Sequence, residues 1–558
     1  MMLFCWLSSS GQDLTNLRQA RPVVFSGNFQ ARSFIYNASG IPGRQDPFSY
    51  MLDGNATVSL YGWSVPFSFT YSQQDKSFRQ PFNQFGMSPR YKWVTLHGGY
   101  RNLSFSPYTL AGHTMLGGGF ELNPGKLRVG FMYGRLNRAT VIDTTLQALV
   151  PFSFSRKGLA AKLGYGTQEN HFELSFLTAK DDSTTRPMDV IPDGSKVLAA
   201  ANSVLAFKAR LAFFQRKVFM ESDGAVSLYT NDINSPISID SLDNALLEAL
   251  RGSFHVNGSS QLFTALNVGM GYAERYYSIK VNYRRIAPNF RSMGTYFFSN
   301  DLEAYTINPT FSLPSGKLRA NLNAGIQRDN LQNQKEATNK RFVGTAHVAA
   351  QFTERLGLDF NYSNFSNNQT PKTLRFADSL KVVQTTQVFS FMPRYLIVRP
   401  ATTHMVMASV NLSGMKDFNG YFDSETTQRD IHTNQYMLNY TVSFPAKRVS
   451  VFANLNYTDL KHSAMNDTYR GASLGGNYSS ADGKAQLGLN GSVTQGIAEL
   501  SGKSLIINAS MNASYQLNRH HGLRTNVFVT NNNPGTAIIS TNPAFTETRG
   551  ELAYQFTF

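Results

Sequence analysis

The chain has 558 residues, 42% hydrophobic and 13% aromatic but only 16% charged, with 42 Phe and 26 Tyr against 3 Trp. Such a charge-poor, aromatic-rich composition departs from soluble globular domains and excludes a disordered chain. The 52 Lys+Arg against 36 Asp+Glu give +16, spread without the basic block or recognition motif that nucleic-acid binding requires.

Residues 1–12 read as the remnant of a signal peptide. Met1 to Leu7 are apolar, Ser8 to Gly11 are small, and polar Gln12-Asp13 follow, the order of an h-region and its cleavage zone, although no basic n-region precedes it. Cys5 is the single cysteine. It follows Phe4 where a lipoprotein site wants a small residue, and alone it excludes a disulfide framework or a cysteine metal cluster. Residues 13–21 then form a short periplasmic segment, and strand-like pattern begins near Pro22. Beyond the first residues no apolar run approaches the roughly 18 needed by a membrane-spanning helix.

From there to the end, period-2 alternation replaces helical periodicity. Tyr277, Ile279, Val281 and Tyr283 oppose Ser278, Lys280, Asn282 and Arg284. Leu318, Ala320, Leu322, Ala324 and Ile326 oppose Arg319, Asn321, Asn323, Gly325 and Gln327, and Leu356, Leu358, Phe360 and Tyr362 oppose Gly357, Asp359, Asn361 and Ser363. The fullest case is Leu505 to Leu517, with Ile507, Ala509, Met511, Ala513 and Tyr515 on one face and Asn508, Ser510, Asn512, Ser514 and Gln516 on the other. Successive strand side chains point to opposite sides, so one face of each segment meets something apolar and the other meets water. These segments run about 10–15 residues, longer than strands of soluble sheets and matched to a tilted crossing of a bilayer. The pattern predicts an all-β protein: one transmembrane, antiparallel, up-and-down β-barrel over residues 22–558, with about 24 strands, in a range of roughly 22–26.

The connections divide into two kinds. Tight, Gly-, Pro- and Asn-rich junctions fall at Asn123 to Lys126, Gln168 to Asn170, Gln215-Arg216, Glu274-Arg275, Pro314 to Gly316, Thr353-Glu354, Pro445 to Lys447, Ala481 to Gly483 and Asn518 to Gly522. Longer ones fall between them, at 37–56, 140–156, 181–202, 230–258, 287–301, 329–341, 366–380, 415–429 and 531–545. Short turns on one side and long loops on the other are the habit of barrels in the bacterial outer membrane. Two segments stand out as fillers of a wide lumen. Residues 73–90, with Phe78, Arg79, Phe82, Phe85 and Arg90, are placed on the periplasmic side as a plug or docking element. Residues 240–251, in the outer loop 230–258, carry Leu242, Leu246 and Leu250 at the spacing of a short helix.

The chain ends on Leu552, Tyr554, Phe556 and Phe558, alternating with Glu551, Ala553, Gln555 and Thr557. This resembles the C-terminal signature of bacterial outer-membrane barrels, which the barrel-assembly machinery reads. Arg79-Gln80-Pro81-Phe82-Asn83-Gln84-Phe85-Gly86-Met87-Ser88-Pro89-Arg90-Tyr91-Lys92-Trp93, His97-Gly98-Gly99-Tyr100-Arg101 and Ser106-Pro107-Tyr108-Thr109-Leu110-Ala111-Gly112 together resemble large uncharacterised outer-membrane proteins of Bacteroidetes. That resemblance implies no activity or ligand. The triplets Asp143-Thr144-Thr145, Asp182-Ser183-Thr184, Asp240-Ser241-Leu242 and Asp378-Ser379-Leu380 resemble the O-glycosylation sites of that phylum.

By alternation parity the wet face carries basic Arg128, Lys208, Arg210, Lys280, Arg284 and Arg319 and acidic Glu173, Glu221, Asp223 and Asp359. Basic rings favour anions. No metal-binding helix motif, phosphate loop or dinucleotide fingerprint is present in the sequence, which points away from an enzyme, from a metal and from a cofactor. The expected function is a pore or channel of the bacterial outer membrane, mildly anion-preferring, with the lumen either open or plugged by one of the two segments. The competing expectation is a scaffold or translocon in a complex of outer-membrane or periplasmic proteins. The expected surroundings are outer-membrane lipid and lipopolysaccharide, with no nucleic acid.

Overall fold

The computed structural model describes residues 23–73, 84–139, 153–185, 198–237, 254–295, 300–335, 337–371, 382–419, 429–462, 465–499, 502–535 and 543–558. The signal remnant, the helix at 240–251, Phe78, Arg79, Phe82 and three of the four Asp-Ser/Thr triplets lie outside these residues. The strands are numbered β1 to β27 in chain order. Strands adjacent in the wall pair antiparallel in chain order, and β1 (Val23–Ser39) also pairs with β27 (Phe545–Thr557), which closes the sheet. Two short segments, β4 (Gln84–Met87) and β5 (Arg90–Tyr91), share one position between β3 (Trp63–Ser72) and β6 (Val94–Asn102). The wall therefore counts 26 strands. No helix of the described residues is long and apolar enough to cross a membrane.

The seam is fixed at the last residue. Phe558 and Gly27 exchange two backbone hydrogen bonds, of 2.9 and 3.0 Å, while Tyr554 and Phe556 pack on His521 and Phe558 packs on Phe556. The Tyr554 hydroxyl is 2.6 Å from His521 Nδ1, and the Phe556 ring lies 4.9 Å from the imidazole and 5.6 Å from the Phe558 ring. The His520-His521 pair thus packs against the terminal strand.

All the tight junctions read from the sequence lie at one end of the barrel, as do the two termini of the wall. One placement needs correction. β3 ends and β4 begins at the opposite, long-loop end, and 84–91 are part of the wall. The segment is hard to read as a strand because Pro89 supplies no N–H and the ladder breaks at Ser88-Pro89, leaving pieces of four and two residues. Adding this hairpin raises the strand count and keeps it even, so the rest of the up-down order is undisturbed. Phe85 lies edge-on to Tyr100 at 5.8 Å and is exposed on the outer wall. It is neither plug nor docking residue.

Faces separate as the alternation demands. On β10 (His171–Asp181) every odd residue is buried, while Phe172 and Leu174 are exposed. The exposed apolar set continues through Leu205, Met270, Val281 and Leu489, an outer belt suited to hydrocarbon. One row on the inner face is glycine: Gly86, Gly99, Gly117, Gly134 and Gly158 stand abreast across five neighbouring wall positions. A Cβ at Gly117 would lie 2.0 Å from the Tyr133 carbonyl oxygen, and one at Gly134 would lie 2.4 Å from that of Leu116. Only glycine lets these strands come so close.

The face assignment is testable on β25 (Gly502–Gln516). Met511→Lys puts an ammonium in lipid and is expected to cost about 2–4 kcal/mol, whereas Asn512→Lys on the wet face is tolerated. Heat-modifiable gel migration and denaturant midpoints in lipid should show loss for the first and near-normal behaviour for the second. The reverse order would turn the barrel inside out.

Candidate functional site

Two loops from the long-loop end fold back onto the inner wall. The first joins β6 to β7 (Thr114–Leu122), through residues 103–113. The second joins β14 (Tyr277–Ile286) to β15 (Leu302–Ser312), and its described part on the wall is residues 287–295. The first turns tightly on itself, with the Phe105 amide donating to the Leu110 carbonyl at 2.8 Å and the Thr109 amide to that of Ser106 at 3.2 Å. The two loops then meet. The Ala111 amide donates to the Gly294 carbonyl at 3.1 Å, Ala111 bridges Thr295, and the Tyr108 and Phe290 rings pack edge to face at 5.9 Å.

Beneath them the wet side of the wall is unusually apolar. Met132, Ala160, Leu177, Val204, Ala206, Ala225 and Ala265 project from consecutive strands and form one buried cluster with Leu103, Phe105, Tyr108, Leu110, Phe290 and Met293. Polar side chains pin the loops to this surface. Asn202, 2% exposed, accepts from the Met293 amide at 3.0 Å and donates to Ser227 at 2.8 Å; Ser227 in turn donates to the Arg291 carbonyl at 2.7 Å. Thr109 donates to Ser175 at 3.3 Å, and Ser292 donates to the Thr109 carbonyl at 3.1 Å. Every buried polar group named here has its partner, which is what makes such burial affordable.

The charges singled out from the sequence lie on this same wet face, lower on the wall, and many of them pair. Arg128 binds Glu173, and Arg210 and Lys280 both bind Glu221, the latter at 2.6 Å. Asp359 is 3.3 Å from Arg394. Asp223 accepts from Asn267 at 2.9 Å and stands beside Tyr108, whose phenol is pushed up in pKa by burial and by that carboxylate. Arg284 lies near the same phenol. Lys208 faces Asp223 across the ladder and is exposed, as is Arg319. Among the described residues, Lys208, Arg284 and Arg319 have no carboxylate within 4.0 Å. Sequence parity grouped these residues on one face; their pairing depends on partners such as Arg128 and Glu173, 45 positions apart.

The loop residues were missed as fillers. Ser106 to Gly112 carry no periodicity, and 287–295 reads as an ordinary connection. The available signal was the wall itself: on β10 and β11 (Ala201–Phe213) the face that should be wet carries Leu177, Ala179, Val204 and Ala206, which only a covering segment explains.

A closed ladder, an apolar outer belt and a charged, water-facing interior define an integral β-barrel of the bacterial outer membrane. No protein-family model matches the chain, and no curated protein matches it. Among solved structures it is similar to the translocation pore of the P pilus usher PapC, with TM-score 0.37, 10% identity, and 96% of this chain and 99% of that chain covered. It is similar also to OccK2 (OpdF) of Pseudomonas aeruginosa, with TM-score 0.30, 9% identity and 96% and 98% covered. BauA, the ferric preacinetobactin receptor of Acinetobacter baumannii, gives TM-score 0.38, 10% identity and 96% and 81% covered. At these values the likenesses add no argument; the class rests on the barrel's own ladder and faces.

His113, at the end of the first loop, offers a handle on docking. Burial holds its imidazole down to about 4, opposed by its hydrogen bond to the Thr114 carbonyl and aided by the nearby Arg156 cation, itself paired with Asp181 at 2.7 Å. The docked loop thus holds neutral His, whereas a released loop takes up a proton near the ordinary pKa of about 6.5. Docking should therefore be full above about pH 6.5 and weaken as the pH falls toward 4, by on the order of 3 kcal/mol at most. Hydrogen exchange of residues 103–113 at pH 7 and pH 5 measures this, and His113→Gln should abolish the difference. Equal protection in the wild type at both values would refute it.

Proposed function

We propose that this barrel is an outer-membrane pore for small hydrophilic solutes, narrowed on one side by the two docked loops. The observation that carries the reading is the asymmetry of the wet wall. Over β8 (Leu127–Asn137) to β15 the inner face is covered by the loops, whereas from β16 (Leu318–Arg328) to β26 (His521–Pro534) it is largely uncovered among the described residues. That second sector is lined by neutral amides and hydroxyls that hydrogen-bond from strand to strand. Asn439 donates to Asn454, Asn454 to Ser473 at 2.9 Å, and Thr530 to Asn508 at 2.9 Å. Such a wall hydrates a passing solute without holding it, because it is neutral and many of its groups are already tied to a neighbour.

A mild anion preference rests on Lys208, Arg284 and Arg319, since the other basic residues picked from the sequence are neutralised by carboxylates. Of the docking element read at 73–90, the part from residue 84 onward is wall, which leaves the scaffold reading less to stand on.

Single-channel recording in planar bilayers tests the proposal. Replacing Ser106 to Gly112 by a short Gly/Ser linker should raise conductance, by roughly twofold or more if the loops set the narrowest section. Lys208→Gln, Arg284→Gln and Arg319→Gln together should shift the reversal potential toward cations, most clearly at low salt. Absence of channels from both wild type and loop variant would end the pore reading. Channels of equal conductance would place the constriction elsewhere.

A further inference from the structure

On the outward face, at the loop end of three adjacent strands, three cations stand abreast. Arg135 on β8 faces Lys157 on β9 (Arg156–Gly166), and Lys157 faces Lys180 on β10. Their parity is that of the lipid side: below them on the same strands lie exposed Tyr133, Leu163, Leu174 and Phe172. Like charges directly opposed across a sheet repel. Where Arg285, Arg328 and Lys340 come abreast on the outer face, a carboxylate is placed among them: Glu303 stands between Arg285 and Arg328 and accepts from Arg328 Nε at 2.5 Å. Among the described residues no carboxylate lies within 4.0 Å of Arg135, Lys157 or Lys180. The acid just above the row, Asp182, feels the charges of Lys157 and Lys180 but forms no ion pair with either; it accepts within its own turn, from the Thr184 amide at 3.1 Å and the Thr184 hydroxyl at 2.6 Å. Arg135 donates only to a neutral group, the Tyr100 hydroxyl at 3.3 Å.

A polar notch of about 310 Å³ continues from Lys180 on the same face, lined by Thr178, Ser203, Thr230, Phe254 and His255. It exists because the segment around Phe254 is laid down on the outer wall, with the Phe254 ring 6.1 Å from that of Phe176. Lys180 Nζ lies 2.7 Å from His255 Nε2, and the Thr178 and Ser203 hydroxyls are 3.1 Å apart. Burial and the neighbouring ammonium lower the His255 pKa, so at neutral pH the ring accepts from Lys180 and adds no charge.

Down the wall from the loops, a row of three cations without an ion-pair partner among the described residues comes beside a hydroxyl-lined notch, and both sit above an apolar belt. We propose that Arg135, Lys157, Lys180 and this notch bind the headgroup of a phosphorylated glycolipid of the outer leaflet. The phosphate lies across the three cations, a sugar hydroxyl enters between Thr178, Ser203 and His255, and the acyl chains run down over Leu163, Leu174 and Phe172. A phosphate between the cations turns their mutual repulsion into charge-assisted hydrogen bonds, and the apolar wall beneath takes the part of the ligand that a free anion lacks. The site is on the outside of the wall and does not depend on whether the lumen conducts.

The test uses the full-length barrel purified in non-ionic detergent and titrated with bisphosphorylated lipid A, followed by native mass spectrometry and by thermal shift. The wild type should bind, and each of Arg135→Gln, Lys157→Gln and Lys180→Gln should weaken binding by about tenfold. Lys180→Arg should retain it. Dephosphorylated lipid A should bind the wild type no better than it binds the triple variant, and inorganic phosphate at equal concentration should compete poorly. Each variant is first checked for heat-modifiable migration; if the triple variant does not assemble, the single variants carry the measurement. Undiminished lipid A binding by the assembled variants overturns the proposal, as does equal binding of the dephosphorylated lipid. Full competition by inorganic phosphate would make the row a simple anion site and overturn the glycolipid assignment.

Discussion

A peptide group facing hydrocarbon has no solvent to bond with, so the ladder of this protein must close on itself. The constraint is met at one point, where Phe558 and Gly27 exchange hydrogen bonds and β27 joins β1. Closure imposes the even number of wall strands and brings both ends of the wall to the short-turn side. It also explains why the short pieces β4 and β5 are kept in the wall despite Pro89: an absent strand at that position would leave two open edges in lipid. The glycine row serves the same end, letting five neighbouring wall positions pack backbone to backbone.

Within that closed wall one sector has two apolar faces. On β10 the even residues face lipid and the odd residues Leu177 and Ala179 face inward beneath the loops. An inward apolar surface would be exposed to water if it were bare, and the loops remove it from water. Their polar backbone groups are then answered by Asn202, Ser227, Ser175 and Ser292. Wall and loops are thus mutually dependent, and the narrowing of the lumen follows from the composition of the wall.

How far the sequence could be read follows from the same geometry. Where the inner face is polar, as in β14, β16 and β25, alternation showed both the strand and its two sides. It gave no purchase on β4 and β5, which are too short to show a period, and it pointed to 73–90 and 240–251 as fillers because those segments looked unusual in isolation. The segments that occupy the inner wall are unremarkable by themselves; Ser106 to Gly112 become meaningful only beside Leu177 and Val204. The row of Arg135, Lys157 and Lys180 was equally hidden, since three cations spaced along the chain become neighbours only through strand register. Parity told which side a charge faces, and register was needed to tell what it meets.

The buried cluster beneath the loops has one further consequence. The outer belt of this protein is packed against lipid, where apolar contact is not driven by water. The inner cluster of Met132, Leu177, Val204, Tyr108 and Phe290 faces an aqueous lumen and is held together by the hydrophobic effect, as in a soluble protein. The molecule therefore contains two apolar assemblies that respond differently to temperature. Hydrophobic association weakens on cooling, while the hydrogen-bonded wall does not share that dependence. Cold would loosen the inner assembly first, leaving a barrel intact around a wider passage.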